Sequence, residues 1–278
     1  LLIFGKKKQT KKKLENNQGL TGKYHGTNGP IKVSDPGYVA KGSDLYIKSM
    51  QNLGLPYNRD FNDGDQHGVG LMQYTIGNGK RCDTISSLIK PILNNENLHI
   101  NLNTIVTRII IENKKAIGVE ALCNGKYEKY FAKEIKHTAG ELVTPKILMH
   151  SGIGDENQLK KFRIKVKENL IGVGKNLQDH HEVPFITRAK AGYGYFKQNK
   201  GLRMIRNGIQ YLLFKSGPVT SNGVDCCSFL NPENLTDTNN PKIKLYCVQI
   251  MYTDRDTKGI KPDHGVTLTS CIMNPKSR

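Results

Sequence analysis

The sequence predicts an α/β fold combined with an α+β fold, and three stretches of the chain carry that prediction. Residues 98–137 alternate in the manner of β-strands and contain turn signals, which indicates a small β-meander. Residues 138–154, T-A-G-E-L-V-T-P-K-I-L-M-H-S-G-I-G, read as a glycine turn that opens into a helix. Beyond residue 183, an amphipathic helix precedes three strand-like runs, which is typical of an antiparallel sheet with one helix-covered face.

The meander is predicted from four strands and their turns. The turn at residues 112–115 and the Asn124-Gly125 dipeptide, a strong hairpin signal, separate the strands. The last strand leads into the glycine turn at Ala139-Gly140. The four predicted strands are Leu98–Leu102, Ile105–Ile111, Ala116–Cys123 and Tyr130–Lys136, the last continuing towards His137.

The helix after the glycine turn has a recognisable start and end. Thr144 is the expected N-cap, with Pro145 at the first helical position, and Gly152 is the expected left-handed C-cap. A strand that runs through glycine into a helix N-terminus is a common way to hold a phosphate, although most such turns only connect elements. Both interpretations stay open at this level.

Helices are also predicted on either side of the meander. Residues 43–53 repeat apolar positions at helical spacing and stop at Gly54, and Asp83 is the expected cap of a second helix that ends at Leu93. Gly201–Lys215 is the amphipathic helix of the last region. The strand-like runs that follow it are Val224–Leu230, Ile243–Met251 and Val266–Ile272.

Composition restricts the classes of partner. The net charge of +18 suggests nucleic-acid binding, but lysine supplies 33 of the 42 basic residues and the run Lys6–Lys13 has no aromatic residue among its lysines. We therefore expect no nucleic-acid partner. No apolar run reaches the ~18 residues of a membrane span, so we expect a cytoplasmic protein or one peripheral to a membrane, with contact at the membrane surface left open.

The six cysteines predict neither a metal site nor a disulfide framework. They show no C-x-x-C spacing and no grouping with histidine. Cys226 and Cys227 are adjacent in a predicted strand and should lie on opposite faces of it. Reduced thiols are the expected state.

Ordered motifs along the chain resemble the glucose–methanol–choline (GMC) flavoprotein oxidoreductases, in particular the branch of choline and alcohol dehydrogenases. The glycine turn and its helix match that family's second signature, and G-V-G-K-N-L-Q-D-H at residues 172–180 matches the segment that follows it. Further matches run along nearly the whole chain. They are Y-H-G-T-N-G-P (24–30), Q-H-G-V-G (66–70), N-G-K-R (78–81), A-I-G-V-E (116–120), S-G-P-V-T-S (216–221) and P-K-S-R (275–278).

The resemblance implies a FAD-binding, Rossmann-like domain followed by the start of an antiparallel substrate domain. It implies three segments: a middle region linking the two domains at 1–95, a FAD-domain segment with the meander and second signature at 96–183, and the first part of the substrate domain at 184–278. Because G-x-G-x-x-G is absent and the final motif breaks off, the chain is expected to be an internal fragment. Its expected substrate is a small alcohol, with oxygen, a quinone or another molecule as electron acceptor.

Four residues are candidates for FAD contact by this resemblance. Ala139 and Gly140 match positions against the adenine-dinucleotide half of FAD, and Val106 matches a strand valine whose backbone contacts the adenine. Asn176 belongs to the glycine-flexed loop and is a candidate cap. Glu141 departs from the family pattern, which prefers a small residue there, so it is expected either to point away or to weaken FAD binding.

No catalytic residue is expected within these 278 residues. In the family a histidine near the C-terminus takes the hydroxyl proton while hydride passes from carbon to flavin N5. His180 is expected to order its loop near the flavin and not to act as that base. Two other hypotheses remain: a non-catalytic remnant or split-gene product of the same fold, and a basic binding protein, which the scarcity of arginine and aromatic residues disfavours.

Overall fold

The structure is a computed structural model that describes residues 10–252 and 261–276. Parts of the predicted Lys6–Lys13 run and of the P-K-S-R motif therefore lie outside the described residues. The strands are β1 Glu15–Asn17, β2 Ile31–Val33, β3 Gly68–Leu71, β4 Ile76–Gly77, β5 Lys80–Arg81, β6 Thr104–Glu112, β7 Lys115–Cys123, β8 Lys126–Phe131, β9 Ile153–Gly154, β10 Glu168–Asn169, β11 Glu182–Arg188, β12 Val224–Leu230, β13 Ile243–Val248 and β14 Gly265–Ile272. The α-helices that lie away from the ends of the described ranges are α1 Lys41–Asn52, α2 Val143–His150, α3 Glu156–Lys161 and α4 Gly201–Phe214.

The chain divides into two compact units. Among the described residues, the first contains 10–95, 180–252 and 261–275, and the second contains 96–179 and Lys276. The first and last segments expected from the sequence thus contribute to one unit, because β3 pairs with β12 at the edge of the same sheet. Strand β11 crosses the expected boundary between residues 183 and 184.

The first unit is built on a five-stranded antiparallel sheet in the order β11-β14-β13-β12-β3. Helix α1 covers part of one face, where Ile47 and Met50 pack with Val69, Cys226 and Cys247. The other face packs Phe61 against Cys227 and Phe229, with the two phenyl centroids 5.1 Å apart. The predicted opposite orientation of Cys226 and Cys227 is confirmed.

Two predictions for this region are wrong in part. The helix on the sheet is α1, whereas α4 leaves its apolar side chains exposed, so helical amphipathicity did not identify the covering element. The helix expected to run from Asp83 to Leu93 is instead π-helical over Ile85–Ile89 and 3₁₀ over Lys90–Ile92. Pro91 in this segment has no N–H to donate to a regular α-helix. The expected cap does form, since Ser86 N–H donates to Asp83 Oδ1 at 2.7 Å.

The second unit is built on the predicted meander β6-β7-β8. The Asn124-Gly125 hairpin is confirmed, with positive φ at both residues. The predicted strand Leu98–Leu102 does not form. Strand β8 starts at Lys126 and ends at Phe131, not at Lys136. The ladder ends at the pair of Phe131 with Gly118, although β7 itself extends three residues further, to Lys115.

The first unit is held together by the buried carboxylate of Asp225 on β12. Its oxygens accept hydrogen bonds from Ala40 N–H at 3.0 Å, Ser43 Oγ at 2.8 Å, Tyr195 Oη at 2.8 Å and Ser221 Oγ at 3.2 Å. Helix α1 receives no cap from its own N-cap residue Ala40, so Asp225 performs that function from a distant strand. Burial and the nearby Asp225 raise the pKa of Tyr195, which keeps the phenol a donor.

We expect Asp225→Ala to lower the free energy of unfolding by about 3 kcal/mol, because it leaves buried donors without an acceptor. Asp44→Ala is the matched control: Asp44 is an exposed aspartate in the first turn of the same helix α1. Urea unfolding of both variants measures the difference. Equal stability losses in the two variants would contradict the role assigned to Asp225.

Candidate functional site

The two family-like segments of the second unit meet at one cavity. The cavity has a volume of ≈ 1000 Å³ and is lined by α2 along its length, by α3 with the loop after it, and by the segment 173–178. The lining residues include Glu141, Thr144, Met149, Phe162, Val173 and Asn176. Most of the lining side chains are apolar.

Helix α2 is fixed against the meander by one buried hydroxyl. Ser151 Oγ donates to Ile147 O at 2.6 Å and accepts from Ile109 N–H on β6 at 2.7 Å. Ile109, Ile147 and Ser151 are all buried. The serine of the S-G-I-G motif therefore joins the C-terminal end of α2 to the strand that carries Val106. Gly152 has φ +89, so the predicted left-handed C-cap is confirmed.

The predicted N-cap at Thr144 is wrong by two residues, since the N-cap is Leu142 and α2 begins at Val143. Thr144 N–H already donates to Gly140 O at 2.9 Å, so helical bonding begins at the glycine. Thr144 therefore lies inside the helix, and no side-chain cap is made at its start. Pro145 is tolerated because it lies in the first turn, where its missing N–H is not needed.

Gly140 has a backbone conformation that glycine adopts most readily, beside open space. Its φ is +87, and among the described residues no heavy atom other than those of Gly140 and its two chain neighbours lies within 4 Å of the position that a Cβ would take. The missing side chain is therefore not required by packing within the chain itself. The backbone at Ala139-Gly140 is free to lie against another molecule.

Val106 and Asn176 occupy different parts of the second unit. Val106 is half-buried on β6 and pairs with Ala121, next to a bulge between Val106 and Arg108. Such a bulge locally interrupts the ladder of strand hydrogen bonds. Asn176 is exposed, has φ +56 and lines the cavity. It serves as a left-handed turn residue, and the expectation that it caps a helix is wrong because a strand, β11, follows it.

The cavity thus brings Asn176 together with the first turn of α2, while Val106, Ala139 and Gly140 are not among its lining residues. Glu141, the neighbour of Gly140, lines it and is exposed. His180 lies in an exposed part of the loop before β11.

A second polar cluster, in the first unit, was not predicted from the sequence beyond the Y-H-G motif that contains it. His25 is buried, with Nδ1 2.9 Å from Glu15 Oε1 and Nε2 2.8 Å from Asp60 Oδ2. Burial of the ring opposes its protonation, but the hydrogen bonds to Glu15 and Asp60 outweigh it and raise the pKa of His25. Burial likewise opposes ionisation of Glu15, yet its bonds to His25, Asn17 and Gly26 N–H lower its pKa.

The cluster predicts a window of pH in which it stabilises the fold. The raised pKa of His25 contributes stability below its ordinary value of 6.5, and this is lost as pH rises through the folded value. The lowered pKa of Glu15 contributes stability above its ordinary value of 4.5, and this is lost as pH falls through the folded value. We therefore expect His25→Gln to destabilise the protein most between pH 4.5 and 6.5. Urea unfolding at pH 5.5 and pH 8.5 tests this, since these values lie about one unit below and about two units above the pKa of an ordinary histidine. The prediction would be contradicted if the difference in unfolding free energy between the unchanged protein and His25→Gln were the same at both pH values.

Comparison with known proteins identifies relatives along nearly the whole chain. A family model described as GMC oxidoreductase matches residues 7–182. The oxygen-dependent choline dehydrogenase of Rhizobium etli is 32% identical over 268 residues, which cover 96% of this chain and 48% of that protein. The human mitochondrial choline dehydrogenase is 34% identical over 191 residues, 68% of this chain and 32% of that protein. The chain spans about half the length of the curated relative from Rhizobium etli.

Solved structures share the fold. Pyridoxine 4-oxidase from Mesorbium loti superposes with a TM-score of 0.83 at 21% identity, over 97% of this chain and 49% of that one. A FAD-dependent oxidoreductase from Chaetomium thermophilum gives a TM-score of 0.81 at 20% identity, over 99% of this chain and 56% of that one. The predicted fold class and the resemblance to a FAD-dependent oxidoreductase family are confirmed.

In the part of the chain that the structure describes, no helix has the length and apolar character needed to cross a bilayer.

Proposed function

Because the chain belongs to the GMC oxidoreductase family, we propose that it is part of a FAD-dependent enzyme that oxidises the CH–OH group of a primary alcohol, choline-like or otherwise. The flavin, when bound, supplies the hydride-accepting chemistry, and the protein groups position it. The relatives named as choline dehydrogenase and alcohol dehydrogenase (acceptor) support this substrate class. The activity belongs to the whole protein, of which this chain corresponds to about half by comparison with those relatives.

The observation that carries the proposal is the turn at Gly140. A positive φ of +87 beside open space is what a backbone needs to approach a flat or extended ligand closely. The turn opens directly into helix α2, and the positive end of a helix dipole favours the negative charge of a phosphate at that end. Together these features support Ala139 and Gly140 as the residues that hold the adenine-dinucleotide half of FAD.

Val106 and Asn176 are assigned supporting roles. We assign the backbone of Val106 to the adenine, since the bulge beside it interrupts the strand ladder at that point. Asn176 is assigned to the loop beside α2, since it lines the same cavity as that helix. Neither side chain is proposed to take part in the reaction.

A non-catalytic remnant of the same fold is the second candidate, and Glu141 is the observation that favours it. An exposed carboxylate at the cavity, next to the glycine turn, would repel a pyrophosphate group brought to that turn. FAD affinity separates the two candidates, because a remnant that does not hold the cofactor has no flavin absorbance after purification.

We expect Gly140→Val to remove bound FAD while the protein still folds. A branched side chain would strain the left-handed backbone, at a cost of about 1–3 kcal/mol, and would also fill the space assigned to the cofactor. Flavin absorbance per protein and thermal melting measure the two effects in the protein that contains this chain.

Gly125→Val is the matched control. Gly125 has φ +84 and, like Gly140, no atom within 4 Å of the Cβ position, but it lies in the β7–β8 hairpin. It should suffer similar strain and keep its flavin. Retention of stoichiometric flavin by Gly140→Val would show that Gly140 serves chain geometry only.

We expect the isolated 278-residue chain not to turn over any alcohol. It contains neither the G-x-G-x-x-G fingerprint nor a residue assigned as the catalytic base. Reduction of a dye by the purified chain in the presence of FAD and choline, or of a simple primary alcohol, is the measurement. Flavin-dependent turnover would overturn the expectation and place the catalytic groups within these residues.

A further inference from the structure

Helix α4 turns its polar side towards the protein. Asn207 is buried, and its Nδ2 donates to Gln198 O at 2.9 Å and to Gln198 Oε1 at 3.1 Å. Gly208 and Tyr211, at the neighbouring positions of the same face, are half-buried. The Asn207 amide therefore attaches this side of the helix to the loop that precedes it.

The apolar stripe of α4 faces outward. Its five members share one side of the helix at spacings of three and four residues, and each is at least half exposed: Leu202 84%, Ile205 55%, Ile209 52%, Leu212 69% and Leu213 69%. A surface helix of a globular protein normally packs such a stripe on the core. The orientation of α4 is the reverse of that arrangement.

The sequence on either side of the stripe carries charge of a single sign. Between Glu182 and Asp225 the sequence has no acidic residue and seven basic ones: Arg188, Lys190, Lys197, Lys200, Arg203, Arg206 and Lys215. Lys200 and Lys215 flank the two ends of the helix, and Arg203 and Arg206 project beside the stripe at successive turns. An occupant of the stripe must therefore combine apolar groups with negative charge.

We propose that α4 lies on an anionic lipid surface. The stripe would enter the boundary between headgroups and acyl chains, and the flanking Lys and Arg side chains would contact headgroup phosphates, as in interfacial amphipathic helices. A second copy of the chain is the weaker candidate, because a symmetric contact would bring two such basic segments together. The proposal is independent of the reaction that the protein catalyses.

The chain contains no tryptophan, which permits a clean fluorescence test. Leu202→Trp places the only indole on the stripe. With vesicles of phosphatidylcholine containing about one third phosphatidylserine, its emission should shift to the blue and be quenched by brominated acyl chains. Pure phosphatidylcholine should produce a much smaller change, and salt should weaken the response. Tyr127→Trp, on exposed β8, is the control and should not respond.

Charge variants test the specificity of the contact. Arg203→Gln combined with Arg206→Gln should weaken vesicle binding roughly 30-fold, from the effect of two basic residues near the surface. Lys126→Gln combined with Lys165→Gln removes the same charge from exposed positions of the second unit and should change binding less than about threefold. Circular dichroism confirms that each variant is folded.

Three results would overturn the proposal. The first is an unchanged Leu202→Trp emission with anionic vesicles. The second is equal weakening by the two double variants, which would indicate attraction by net charge alone. The third is an emission already blue-shifted without lipid, which would show that protein covers the stripe, either a second copy or further chain.

Discussion

The organisation of the first unit depends on one buried carboxylate. Asp225 accepts hydrogen bonds from the start of α1, from Tyr195 and from Ser221, three segments distant in sequence that the strand β12 brings to one point. A buried carboxylate is tolerated only when its oxygens are satisfied. The same bonds that satisfy it therefore fix where helix α1 begins, and α1 in turn covers the face of the sheet that contains Val69 and Cys247.

The organisation of the second unit depends on a different feature, the position of the turn at Gly140, where the backbone has no side chain. Ser151 attaches helix α2 to strand β6, so the position of the Gly140 turn is set by the meander. The turn has open space beside it, and that space is not needed by the packing of the chain. A rigid support with an open glycine is the arrangement expected of a cofactor-binding turn. The exposed carboxylate of Glu141 is the one residue that conflicts with it.

The exposed face of α4 shows why amphipathicity alone does not locate a core. The periodicity of residues 201–215 correctly predicts a helix, and it equally predicts burial of Leu202, Ile205 and Ile209. In the structure those side chains are exposed, while the less apolar helix α1 covers the sheet. Helical periodicity indicates that one face of the helix favours an apolar environment over water. It does not indicate whether the protein itself or a lipid surface provides that environment.

The sequence by itself determined the family and the α/β and α+β classes. It also determined the hairpin at Asn124-Gly125 and the existence of helices α1, α2 and α4. These features depend on local backbone preferences and short motifs, which neighbouring residues specify. Only the tertiary structure decided the pairing of β3 with β12, the end of β8 at Phe131, the network around Asp225 and the burial of His25 between two carboxylates. Each of these joins residues far apart in the chain or depends on pairing between strands. Such contacts depend on packing between elements, which a single sequence does not encode locally.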